Sequence, residues 1–167
     1  NLEQIENAFD RIIIHVRDPR QALLSWVHQI EDDRFKKKYI SSGFSTEDYY
    51  QFSLHDKINW QIENHYGTLI DWFDQWLRVD QERTIGTRIK FTSFENMISN
   101  QYDFFNEILD FYEIDRLRFI PPPPPSETVN FRKGLKDEWR AVFTKEQINL
   151  VDRLLPDRLV SVFDWER

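Results

Sequence analysis

Three consecutive isoleucines, Ile12 to Ile14, followed by His15-Val16-Arg17-Asp18-Pro19-Arg20, constrain this chain more than any other stretch. An apolar run of that length suits a strand covered on both faces, as in a parallel sheet. Asp18 is a natural helix cap and Pro19 a natural first helical residue. Beyond them Ala22, Leu23, Trp26, Val27 and Ile30 recur at helical spacing. The pattern predicts a strand over 11–16 that turns directly into a helix. In α/β proteins the carboxyl end of a buried strand is where ligands sit, and the start of the next helix offers unpaired N–H groups to an anion. Arg17 stands at that corner.

A second strand is expected over Arg88 to Thr92, followed by a turn at Ser93 to Asn96. Ser99 or Asn100 then caps a helix with Tyr102, Phe105, Leu109 and Tyr112 facing inward. Before the first strand, Asn1 to Phe9 reads as a short helical tail. Between the strands, Asp32 to Ser45 reads as a polar loop holding Lys36, Lys37 and Lys38, and helices follow from about Thr46 to Val79. In the second of these, Leu69, Trp72, Phe73, Trp76 and Leu77 share a face, so the tryptophans are read as core rather than as stacking platforms. Pro121 to Pro125 form a polyproline connector. A loop and one short helical piece follow, and Thr144 with Gln147 makes a capping box for the last helix, which Pro156 ends. Strands alternating with helices give an α/β fold with a parallel sheet, in one domain over 1–167.

At 167 residues and 40 % hydrophobic composition the chain has the material for a core. A net charge of −7 argues against a nucleic-acid polymer as partner, while a small anion in a local basic pocket stays compatible with it. With no cysteine, disulfides and thiolate metal sites are excluded, and no metal is expected. No apolar run approaches the roughly 18 residues of a membrane span, no signal peptide is visible, and a cytoplasmic location is expected.

Two groups of residues carry chemistry. Arg17 and Ser25, eight residues apart, are placed to reach one anion near the start of the helix, the first by a forked pair of charge-assisted bonds and the second by its hydroxyl. The alternative is an Arg17–carboxylate pair and a Ser25 on an ordinary helix surface. Arg132, Lys133 and Gly134 put two cations ahead of a glycine that lets backbone approach a ligand; alone, such loop cations are usually just solvated.

Together these segments resemble a known family. "IIIHVRDPRQALLSWVH" is similar to the segment of cytosolic-type sulfotransferases that binds the 3′-phosphate of 3′-phosphoadenosine 5′-phosphosulfate, with Arg17 and Ser25 at the two contacting positions. "RKGLKDEW", Arg132 to Trp139, resembles the second signature of that family, with Phe143 and Thr144 following. "FTSFENM" resembles the strand and turn whose tyrosine lies near adenine, and Phe94 stands in the tyrosine's place without its hydroxyl. The resemblance implies a parallel-sheet, P-loop-like sulfotransferase core flanked by helices. It implies that Arg17, Ser25, Phe94, Arg132, Lys133 and Gly134 bind the nucleotide, leaving adenosine 3′,5′-bisphosphate as product. It also implies sulfuryl transfer, by in-line displacement at sulfur, to a hydroxyl or amine of a small-molecule or glycan acceptor.

The chief departure is the family's 5′-phosphosulfate loop and its catalytic histidine, whose positions would precede Asn1, so the N-terminal part is expected to be missing and the catalytic residues to lie upstream. A non-catalytic nucleotide-binding or interaction module is the alternative; a P-loop phosphotransferase fragment is disfavoured because no Gly-Lys-Ser/Thr loop is visible. His15 is read as a core or supporting histidine, and His28, His55 and His65 as surface groups. Trp139 is read as a brace for the loop at 132–134.

Overall fold

The computed structural model describes residues 1–119 and 135–167. The connector expected at 121–125 and the cations at 132–134 lie outside them. The fold is mixed α/β, mostly helical, with a two-stranded parallel sheet. The described residues divide into two compact units, one of residues 1–17 and 73–119, the other of 18–72 and 135–167.

The first unit contains the sheet. β1 (Arg11–Val16) pairs in parallel with β2 (Arg88–Ser93), Arg11 opposite Arg88 through Val16 opposite Ser93. Parallel strands need a long crossover, which here is the chain from 17 to 87. Before β1 runs α1 (Leu2–Ala8), whose Glu6 carboxylate accepts from the Gly86 N–H at 2.7 Å. A Cβ at Gly86 would lie 3.0 Å from that oxygen, so the glycine permits the approach. The Arg11 guanidinium donates to the Phe111 carbonyl at 2.6 Å and pairs with Glu113, tying the start of the sheet to the end of α7 (Gln101–Phe111).

Between β2 and α7 the expected turn is a helix, α6 (Phe94–Ser99), with Ser93 as its cap. The Ser93 hydroxyl accepts from the Asn96 N–H at 3.1 Å, which stabilises helix where spacing alone showed only turn-forming residues. The inward set expected on α7 is also corrected: Asn106 and Leu109 are buried, whereas Tyr102 is 67 % exposed and Tyr112 39 %. Tyrosine keeps a polar tip, so placing it outside costs little.

The second unit is helical. Asp18 caps α2 (Pro19–Ile30), and Leu23, Leu24, Val27 and Ile30 are buried on it. The polar stretch expected as a loop contains a short helix, α3 (Lys36–Ser41), so the three lysines are helical. Next come α4 (Leu54–Gln61), one π-helical turn over Ile62–Tyr66, and α5 (Gly67–Gln81). Ile58, Ile62, Tyr66 and Ile70 form the buried set of the part in this unit. The tryptophan-rich face of α5 is corrected in one respect: Phe73 and Leu77 are buried, but Trp72 is 41 % exposed. After 134 come α8 (Glu138–Val142), α9 (Lys145–Leu154) and α10 (Asp157–Phe163). The expected capping box is present: the Thr144 hydroxyl accepts from the Gln147 N–H, and the Gln147 side chain accepts from the Thr144 N–H. Gln147 also donates to the His55 carbonyl and to Asn59. Among the described residues, no helix is long and apolar enough to cross a membrane.

Candidate functional site

The register of the sheet builds the site. Val16 lies opposite Ser93, so the residues that follow, Arg17 and Phe94, leave the carboxyl ends of neighbouring parallel strands together. The Arg17 guanidinium carbon sits 4.0 Å from the centroid of the Phe94 ring. At that distance the cation is held by the ring's quadrupole, about 0.5–1 kcal/mol where exposed and 2 or more when desolvated. Arg17 is only partly buried, so solvent reaches it. Two residues chosen from segments 77 positions apart thus meet in one place.

Ser25 lies two turns into α2, half-buried, in the second unit. Arg132, Lys133 and Gly134 lie outside the described residues.

The second arginine of the Arg-Asp-Pro-Arg sequence, which spacing did not single out, is enclosed by protein oxygens. Arg20 is fully buried. Its guanidinium donates to both oxygens of Asp18, at 2.9 and 2.7 Å, to Asp152 at 2.8 Å and to the Glu166 carbonyl at 2.5 Å. Burial works against the charge, but the bonds and attraction of Asp18 and Asp152 outweigh it and hold the guanidinium's pKa above its ordinary value. The Trp139 ring lies 4.2 Å from the Arg20 guanidinium carbon and 4.5 Å from that of Arg140. Trp139 is fully buried, and its backbone N–H donates to the side-chain oxygen of Gln21 at 3.2 Å. It is a core anchor at the base of the segment that leaves 134. A signal for this was present in the sequence, since an aspartate cap two residues before an arginine allows the fork to close on the cap itself.

Two histidines differ from expectation. His15 is not in the core: it is exposed on β1, its Nδ1 2.9 Å from the Thr92 hydroxyl, its ring edge-on to Phe104. Strand alternation explains it, because Ile14 and Val16 face the other side and are buried. His65 is no surface group. The π-helical turn carries it against Trp26, Phe44 and Trp60, at centroid distances of 5.2 to 5.6 Å. Burial lowers its pKa, against a smaller opposing effect from a bond to the Gly43 backbone.

Among the described residues no group of three or more His, Cys, Asp or Glu is placed to hold a metal ion. No family model, curated protein or solved structure matches this chain.

Proposed function

We propose that the chain is part of a sulfotransferase using 3′-phosphoadenosine 5′-phosphosulfate, and that Arg17 and Phe94 hold the 3′-phosphate and the adenine. The observation that carries this reading is the 4.0 Å stack of Arg17 on Phe94 at the carboxyl ends of two parallel strands. A cation and a flat ring side by side suit a ligand with a phosphate and a purine. Stacking engages the face of a guanidinium, whereas a phosphate is bound at its N–H edge, so one interaction does not preclude the other. In this reading Ser25, Arg132, Lys133 and Gly134 complete the phosphate's partners, and the two strands belong to a P-loop-like core.

When bound, the nucleotide supplies the sulfuryl group; the residues named here anchor it and touch no reacting atom. Their contribution is positioning and cofactor choice. Charge-assisted bonds from these cations to the 3′-phosphate would favour nucleotides that carry it over those that lack it. The acceptor is a hydroxyl or amine of a small molecule or glycan. Calorimetry with adenosine 3′,5′-bisphosphate and adenosine 5′-monophosphate tests the reading. Tenfold or tighter binding of the bisphosphate is expected, about 1.4 kcal/mol or more. Equal affinities, or no binding of either, overturn it.

A further inference from the structure

His15 and Thr92 stand opposite each other in the parallel register, two residues before Arg17 and Phe94 on their respective strands. Side chains alternate along a strand, so His15 and Arg17 leave the same face of the sheet, with Cα atoms about 6.7 Å apart. Two donors that bond different oxygens of one phosphate, each at about 2.8 Å, span a comparable distance. The spacing suits a single anion.

The hydrogen bonding also assigns the proton on the imidazole. Its Nδ1 lies 2.9 Å from the Thr92 hydroxyl oxygen. Thr92 is 7 % exposed, and among the described residues this is the only bond its hydroxyl makes. With Nδ1 as donor, the hydroxyl proton would be enclosed without an acceptor, which is the costly arrangement. The hydroxyl therefore donates to Nδ1, and the ring's own proton sits on Nε2. That Nε2–H has no acceptor among the described residues. The ring is exposed but not loosely held, since Phe104 meets it edge-on at a centroid distance of 5.8 Å. Phe104 belongs to α7, where cations temper the carboxylates: Lys90 pairs with Glu107 at 3.1 Å, and Arg116 pairs with Asp110 and acts on Asp103.

We propose that His15 is a further binding residue of the nucleotide site, its Nε2–H donating to the 3′-phosphate that Arg17 binds. This rests on the reading of Arg17 and Phe94 given above. The resemblance assigns no contact to this position.

Imidazole nitrogen NMR and calorimetry on the full chain test it. In the free protein at mildly alkaline pH, His15 is expected as the Nε2–H tautomer. Adenosine 3′,5′-bisphosphate is expected to move its Nε2 resonance saturably, and adenosine 5′-monophosphate to leave it in place. His15→Val, a strand-compatible change, is expected to weaken the bisphosphate about tenfold or more, the scale of a hydrogen bond to a charged group, and the monophosphate less than about twofold. His15→Val combined with Thr92→Val removes both partners of the enclosed bond and serves if the single variant fails to fold. His15→Gln, which keeps a donor on the same face, is expected to restore part of the affinity. An Nδ1–H tautomer, a His15 resonance unmoved by bound bisphosphate, unchanged affinity in the valine variants, or an equal loss for both nucleotides overturns this inference and leaves the nucleotide reading standing. Equal binding of the two nucleotides by the unaltered chain, or binding of neither, overturns that reading and this inference together.

Discussion

Two arginines three residues apart, Arg17 and Arg20, each lie over an aromatic ring, and the two stacks have opposite characters. Over Trp139, Arg20 is fully buried and bonded to two carboxylates and a main-chain carbonyl. Arg17, over Phe94, is partly open to solvent at the end of a strand. Similar distances, 4.2 and 4.0 Å, therefore say little about role. What separates them is what else surrounds the charge. A guanidinium whose fork is filled by protein oxygens and that is closed to water holds elements together; the one that water reaches is the one proposed above to meet a ligand. The Asp-Pro between them puts one before a helix cap and the other just after it.

The largest effect expected from breaking this comparison is on Arg20. Arg20→Met leaves the buried Asp18 without its cation and should cost about 3–5 kcal/mol, as for other broken buried pairs. Urea denaturation measures it, and a loss below about 1 kcal/mol, the ceiling of most exposed pairs, would erase the distinction between the two arginines. Arg17→Ala should cost less stability than Arg20→Met, the cation–π contact itself being worth about 0.5–1 kcal/mol where exposed. Its affinity for adenosine 3′,5′-bisphosphate should fall by about 1.5–3 kcal/mol, the range for a hydrogen bond to a charged group. Calorimetry on a variant shown to be folded reads this directly, and unchanged affinity removes Arg17 from the site.

Phe94→Leu keeps apolar bulk and removes the ring. It should weaken the same nucleotide by about 1–3 kcal/mol, the range for stacking of a base on an aromatic side chain, while inorganic phosphate as a competitor is affected less. The smallest expected effect is one of pH. Burial lowers the pKa of His65 below 6.5, so just below that value the unfolded chain binds more protons than the folded one. This contribution is then full above 6.5 and falls as pH drops toward the lowered folded value, by at most about 1.4 kcal/mol per pH unit. His65→Phe, which suits the ring cluster of Trp26, Phe44 and Trp60, should flatten that slope between pH 6.5 and 5 in denaturation curves. An unchanged slope would mean that His65 titrates as it does in the unfolded chain.

Elements whose signals are local were legible. The strand over 11–16, the Asp18 cap with Pro19 after it, the helix to Ile30 and the Thr144–Gln147 box all stand as the residues predict. Each depends on contacts within a turn or on alternation along one strand. The helices over 36–41 and 94–99 were not legible, because lysine, serine and asparagine are compatible with turn and helix alike. Side-chain exposure was less legible still. Tyr102 and Trp72 follow the apolar period of their helices yet are largely exposed, since an apolar stripe is wider than the surface that meets it. Of the candidate site, the structure shows Arg17 lying over Phe94, while the surroundings of Arg20 and of His65 were not legible, because they come from residues distant in sequence or from the π-helical turn.

By itself the amino-acid sequence determined where the first strand, the helix after it and the capping-box helix begin, that a cation follows the first strand, and that aromatic residues are numerous enough to stack on cations. Which arginine became a filled internal brace was decided only by tertiary structure, because Asp152 and Glu166 lie 132 and 146 positions from Arg20. Caps and periodicity are short-range and can be read in order along the chain. Filling a guanidinium's fork depends on groups that folding brings in from far away, and no local pattern records their arrival.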